Sequence, residues 1–319
     1  MLDAKSNPNY ENADYTEMAA AWKIVRDVSG GTKRMRAARE IYLPREPGEL
    51  DPAYQRRLDR AVLFNGYKKT RGGLTGLVFK RDPVIGDDVP ANIVKDLENI
   101  DLAGTHIDVF AKELFEDSFE GHAFILVDME KALPEGATAE DERDAGLRPY
   151  CVRYKVDQAV NWKTSRINGE EHLIQITFRE CSYESDGEFG EKEVTRYRTF
   201  RRNPDGTVTW ELKLLQKTDS GEDSFILVGE GTTKLDLIPV AIVYGKRLGL
   251  MKSEPPLLDL AYLNIAHWQE YSDYRHLLHY AQVPMLLRKG ANKEQQAVVP
   301  GAGTTLDVPD GGDVRWCSE

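Results

Sequence analysis

The chain has 319 residues, 41% apolar and 30% charged, with 14 Tyr, 10 Phe and 5 Trp. That composition excludes a disordered polymer, and the length suits about two domains. Lys and Arg number 42 against 53 Asp and Glu, and the net charge of −11 excludes a generic basic nucleic-acid binder.

Residues 1–13 read as a loose polar arm. Asp14-Tyr15-Thr16 can cap a helix running to about Val28, with Ala19, Trp22, Ile24 and Val25 as its apolar stripe, and Gly30-Gly31 stops it. KRMRAARE (33–40) is short, basic and helix-compatible. YLPREPGELDP (42–52) is a loop, and Asp51-Pro52 is an N-cap and N1 signal for the helix that carries Leu58, Ala61, Val62 and Leu63. A second helical stretch carries Leu74, Leu77 and Val78, with the break expected near Gly72-Gly73. Ile93, Leu97 and Ile100 mark a short helix. Gly104-Thr105 opens a clearer one, with Ile107, Phe110, Ala111, Leu114, Phe115 and Ser118 at i, i+3, i+4, i+7, i+8, i+11.

Strand patterns begin at HAFILVD (122–128), a run apolar enough for burial on both faces. An acidic loop (131–146) follows, then alternation at Tyr150, Val152, Tyr154 and Val156. Segments 172–181, 193–202 and 207–215 predict an antiparallel meander. Asn203-Pro204-Asp205-Gly206 supplies one tight turn and the acidic, Gly-bearing SYESDGEFGEK the other link. Further strands are expected at 224–229 and 238–245, then a loop over 246–256. Leu257 to about Ala281 predicts one long helix. Leu258, Leu260, Leu263 and Ile265 make its first half apolar all round, so that half is expected to be enclosed. Trp268 and Tyr271 are expected to be buried. After Pro284 the GAN, PGAGT and PDGGD turns predict small β structure.

The chemistry-bearing residues form no familiar catalytic set. His276 and His279, with His267 on the same helix, are spaced for a metal, but no carboxylate or thiol stands at a matching offset, so no metal or other cofactor is expected. Glu113, Glu116, Asp117 and Glu120 read as a solvated helix face rather than paired catalytic carboxylates. Asp186, Glu188, Glu191 and Lys192 loosely resemble nuclease spacing, but lie in a Gly-bearing link. Gly30-Gly31 and Gly72-Gly73 fit no phosphate loop. The basic residues Arg34, Arg36, Arg39, Arg56, Arg57, Arg60, Lys68, Lys69 and Arg71 either touch phosphates or pair with acidic neighbours. Cys151, Cys181 and Cys317 read as free thiols in a reducing compartment. No apolar run approaches the ~20 residues of a membrane span, and the N-terminus lacks a signal-peptide core. No enzymatic activity is expected.

Four blocks, YQRRLDRAVLFNGYKKTRGGLTGLVFKRDP (54–83), GHAFILVDME (121–130), RPYCVRYKVDQAVNW (148–162) and PPLLDLAYLNIAHWQEYSDYRHLLHYAQVPMLLRKG (255–290), resemble the portal proteins of tailed bacteriophages. The resemblance runs over roughly residues 20–316 and is most specific in the last block. It implies an α+β, portal-like fold. Residues 1–250 would form a wing, helical over 14–121 and β-rich over 122–250. Residues 255–283 would form a stem helix, and 284–319 the start of a clip. A second stem helix, tunnel loop and crown are not among these residues.

The implied function is a homo-oligomeric ring, usually a dodecamer, at one capsid vertex of the virion. Double-stranded DNA is packaged and ejected through such a ring, which docks the terminase large subunit, a head–tail adaptor and the major capsid protein, with no membrane partner. Glu270, Asp273 and Arg275 become candidates to face the channel, and Trp268, Tyr271 and Tyr274 candidates for packing between subunits. A metal-dependent DNA-processing nuclease and a monomeric virion or tail component are the rival readings.

Overall fold

In a computed structural model of the chain, residues 7–129, 147–217, 221–233, 235–281, 286–289 and 305–308 are described. They form an α+β protein whose helices precede its strands until one long helix follows them. In the helical part α1 is Ala13–Ser29, α2 Gly31–Ala38, α3 Asp51–Arg60, α4 Gly66–Val78, α5 Ala91–Leu97 and α6 Ile107–Ser118. The capping side chain of α1 is that of Asn12, which accepts from the Tyr15 amide at 2.7 Å. The expected break at Gly72-Gly73 is absent: both glycines lie inside α4, and the interruption falls at 61–65, after α3. Neither glycine has a neighbour where its Cβ would stand, so only the helix propensity of Gly argued for a break there.

By packing, the chain divides into two units that interleave in sequence. One is Met1–Ser29 with Tyr67–Ala261, the other Gly30–Gly66 with Tyr262–Glu319. Residues 30–66, which the sequence groups with the preceding and following helices, therefore cluster with the long C-terminal helix.

In the first unit β1 (His122–Met129) is the central strand of a three-stranded antiparallel sheet, between β2 (Pro149–Lys155) and β8 (Val240–Tyr244). Its two faces do different work. Phe124 and Leu126 join Tyr154, Trp162, Ile176, Phe178 and Phe200 in the main core, whereas Ala123 joins Phe110 and Leu114 of α6 in a second one. The expectation of burial on both faces holds at the start of the strand and fails at its end, where Val127 and Met129 are exposed.

The second sheet is a five-stranded antiparallel meander. Its strands are β3 (Ala159–Ile167), β4 (Glu170–Asp186), β5 (Gly190–Arg202), β6 (Val208–Lys217) and β7 (Asp223–Thr233), in that order. The acidic link becomes strand instead: β4 and β5 pair out to Asp186 opposite Gly190. A Cβ at Gly190 would stand 2.3 Å from the Asp186 carbonyl oxygen, so that tip requires glycine. The Asn203–Gly206 turn forms as expected, with the Gly206 amide donating to Asn203 O at 3.0 Å and φ of +88° at Gly206.

One polar network and one ring stack tie the sheets. The Tyr154 hydroxyl donates to Glu180 at 2.5 Å, and Arg198 bridges Glu180 and Asp128, each at 2.7 Å. Tyr154 also stacks on Phe178, with ring centroids 4.2 Å apart. The predicted loop over 246–256 is in fact a small hairpin, β9 (Lys246–Gly249) and β10 (Lys252–Glu254), too polar and short to alternate legibly.

The long helix, α7, is Leu258–Ala281, 24 residues and about 36 Å long. Beyond it β11 (Leu286–Lys289) and β12 (Thr305–Val308) pair in parallel. The GAN, PGAGT and PDGGD turns and Cys317 lie outside the described residues.

Candidate functional site

Helix α7 carries all six residues singled out for channel or interface roles, and its inner side is held by polar contacts from residues 30–66. Arg57 is the centre of these. Its guanidinium is buried, donates to both oxygens of Glu49 at 2.9 and 2.8 Å, to Pro44 O at 2.6 Å, and reaches Asp273 of α7 at 3.3 Å. The hydrogen bonds from Arg57 hold the Glu49 carboxyl below its ordinary range, against the opposing effect of burial.

One turn further, Arg60 lies 3.2 Å from Nδ1 of His276, and burial together with Arg60 and Arg57 keeps the imidazole pKa below its usual value. Asn264 donates to Phe64 O at 2.6 Å and Gln269 to Tyr42 O at 3.1 Å. His267 stacks on Tyr271 with centroids 5.8 Å apart.

Ala261, Asn264, Trp268 and Ser272 are buried, marking the helix's inner side at i, i+3, i+7, i+11. The other side is open. Leu263 is 65% exposed, Tyr274 55% and Leu277 66%, and they fall on one face at i, i+11, i+14 with Glu270 between them. The expected enclosure of the first half therefore does not hold within one chain: Tyr262 and Leu263 are both exposed. Residues 30–66 cover only one side of a helix that is apolar on two.

Of the proposed packing residues, Trp268 is fully buried, as expected, and the burial is within the chain rather than left to a neighbour. Tyr271 is half-buried, and Tyr274 remains at the surface. The channel candidates Glu270, Asp273 and Arg275 are all exposed, and Asp273 is also engaged by Arg57.

The other candidates are mostly committed to internal pairs. Of the four carboxylates read as a solvated face, only Glu113 is exposed, and all four are paired. Glu113 and Asp117 pair with Arg153 at 2.8 and 2.5 Å, Glu116 with Arg71 at 3.5 Å, and the buried Glu120 with Arg26 at 2.8 Å. Burial pushes the Asp117 carboxyl up, against the pull of Arg153. Arg36 donates to Ala61 O, and Arg39 to Gln55. Asp186 pairs through the backbone with Gly190 at the tip of the β4–β5 hairpin, and Glu191 and Lys192 lie on the β5 side of it. Among the described residues no three His, Cys, Asp or Glu side chains gather as a metal site.

Sequence reasoning missed one nucleophile–base contact. His122 Nδ1 and Ser253 Oγ lie 2.6 Å apart, joining β1 to β10 across 131 residues. Both are buried, Nε2 has no hydrogen-bond partner, and burial lowers the imidazole pKa to about 3. An imidazole so reluctant to accept a proton, walled in by Trp22, Phe124 and Tyr244, is a packed core group. Gly121 permits the approach: its φ is +138° and a Cβ there would stand 2.8 Å from Ser253 Oγ.

A family model, a domain of unknown function (DUF4055), matches residues 256–319, a span that begins just before α7. No curated protein matches the chain. No helix among the described residues is long and apolar enough to cross a membrane.

Proposed function

We propose that this chain is a portal-type head–tail connector subunit, which assembles into a closed ring, near twelve copies, at the capsid vertex of a tailed-phage virion and conducts double-stranded DNA during packaging and ejection. The observation that carries the proposal is the outer face of α7, where Leu263, Tyr274 and Leu277 stand more than half exposed on a helix whose opposite side is already packed. A helix apolar on two sides needs a second cover, and copies repeated about an axis supply it. A ring contact also requires two different faces on each subunit. The edge strand β7 offers another apolar surface, with Ile226, Leu227 and Val228 each about half exposed at the end of the meander.

Charge supports a conduit rather than a clamp. A chain of net charge −11 repels phosphate, and many of its arginines are bound to its own carboxylates or carbonyls. Asp273 and Arg275, beside the exposed stripe, are the side chains we assign to the channel side or its rim, and Glu270, inside the stripe, to the edge of the contact between copies. The terminase large subunit, the adaptor and the major capsid protein are the partners this reading requires, and it assigns the chain no catalytic step.

Electron micrographs of the purified chain test the proposal. Closed rings with a central opening are expected, and Leu263→Glu combined with Leu277→Glu is expected to leave folded single chains. Particles that never exceed one chain contradict it.

A further inference from the structure

The polar face of the five-stranded meander holds a second feature, unrelated to α7. Cross-strand register places Lys163 opposite Gln175 and Gln175 opposite Arg201, and in the adjacent row Asn161 opposite Thr177, Thr177 opposite Thr199 and Thr199 opposite Glu211. Neighbouring rows on one sheet face bring their side chains together. A cavity of about 420 Å³ opens over them, closed on its other side by Asn7, Pro8 and Tyr10 of the N-terminal arm. That arm is fixed along the β3 edge by Asn12, whose amide donates to Val160 O and whose side chain donates to Trp162 O.

The cavity has more donors than the chain uses. Lys163, Arg201 and Lys213 line it. Glu211 is the carboxylate that answers two of them, at 2.6 Å from Arg201 and 3.0 Å from Lys213. Lys163 forms no ion pair among the described residues, and the side-chain amides of Asn161 and Gln175 form no hydrogen bond there. On the floor, the buried hydroxyls of Thr177 and Thr199 are 3.1 Å apart. One donates to the other, which leaves a hydroxyl proton to point elsewhere. Three cations line the cavity, against Glu211 and, opposite it on β7, Glu230, which makes this a local reversal of sign in a chain of net charge −11. Glu211 remains ionised, held down by Lys213 and Arg201 against its burial, so it keeps both cations in position.

We infer that this cavity binds a phosphate group. Lys163 would supply the uncommitted charge, Arg201 its remaining N–H donors, and Asn161, Gln175 and the threonine hydroxyl the neutral hydrogen bonds. The phosphate group is the shared chemistry of two sources, a small phosphate ester and the backbone of a nucleic acid. The site stands apart from the connector reading and does not depend on it.

Calorimetric titration of the full chain with inorganic pyrophosphate and, separately, with a short DNA duplex tests the inference. Pyrophosphate binding that weakens at least tenfold in Lys163→Met supports the site and a small-molecule source. Duplex binding that weakens as much in the same variant, with no pyrophosphate binding, supports the site and a backbone source. Lys163 is exposed, so its replacement leaves folding intact, and the far-side variant Lys192→Met serves as the control for general charge loss. Absence of binding by both probes, or binding that Lys163→Met and Lys192→Met reduce equally, overturns it.

Discussion

Each of the two compact units has a buried apolar core, but they differ in how much directed polar contact each adds to it. In the first, apolar side chains alternate along strands and meet across a sandwich of two sheets and α1: Tyr154 on Phe178, Phe124 against Phe178, and Trp22 edge-on to Tyr15 and His122. In the second, Met35, Leu43, Tyr54, Leu58 and Trp268 are buried as well, and residues 30–66 add directed polar contacts that orient α7, Arg57 to Glu49 and Asp273, Asn264 to Phe64 O, and Gln269 to Tyr42 O. Apolar packing gains from area and forgives small shifts, whereas a buried charged pair demands one geometry. The first unit therefore completes its own core. The second fixes the orientation of one helix and leaves an apolar side of it uncovered, the arrangement expected of a surface built for another copy.

The sharpest way to break this contrast is by deletion in each unit. Trp22→Ala in the first is expected to cost about 3–5 kcal/mol, because the ring is almost wholly enclosed. Arg57→Ala in the second is expected to cost as much, ~3–5 kcal/mol, by leaving Glu49 charged and unpaired. The pair separates the two kinds of stabilisation: Arg57→Met with Glu49→Leu is expected to recover most of the loss in a urea melt, and no rescue would mean that the ion pair itself supplies the stability.

Acid sharpens the comparison next. The folded-state pKa of His122 is about 3, below the ordinary 6.5, so the folded state binds fewer protons than the unfolded one. Its contribution is whole above pH 6.5 and is lost as pH falls toward 3, at about 1.4 kcal/mol per pH unit. His276, also lowered, adds loss in the upper part of that window. Glu49 adds its own only below its ordinary 4.5. Denaturant melts between pH 6.5 and 4.5 are expected to flatten most in His122→Asn. An unchanged slope in that variant would remove the buried histidine from the account.

The smallest effects are local. Asn12→Ala is expected to cost ~1 kcal/mol by uncapping α1, and Gly206→Ala ~1–2 kcal/mol through its left-handed backbone. Thermal melts read both.

What was legible in the sequence follows the same division. Alternation at Tyr150–Val156 and along 172–181, 193–202 and 207–215 fixes strands, and the Asn203–Gly206 turn fixes one register, because a side-chain period of two is a local property. The β4–β5 hairpin extends beyond its sequence signal because Glu, Ser and Asp at its outer end mimic a loop while pairing as strand. The Arg57–Glu49–Asp273 cluster, the His122–Ser253 contact and the cationic row Lys163–Gln175–Arg201 left no signal. Each joins residues that are ordinary in their own stretch and become neighbours only through long-range packing. The length of α7 was readable from its periodicity. Its uncovered side was not, because apolar residues all round read as enclosure whether the cover comes from the same chain or from another.

Native mass spectrometry of the purified full chain tests the central claim most directly, at moderate salt so that the repulsion between copies of net charge −11 is screened. The account predicts one dominant closed multiple of the 36.1 kDa chain, near twelve copies, that collapses to single chains in Leu263→Glu with Leu277→Glu. A single 36.1 kDa species at every concentration, or a multiple that the double variant leaves intact, would contradict it.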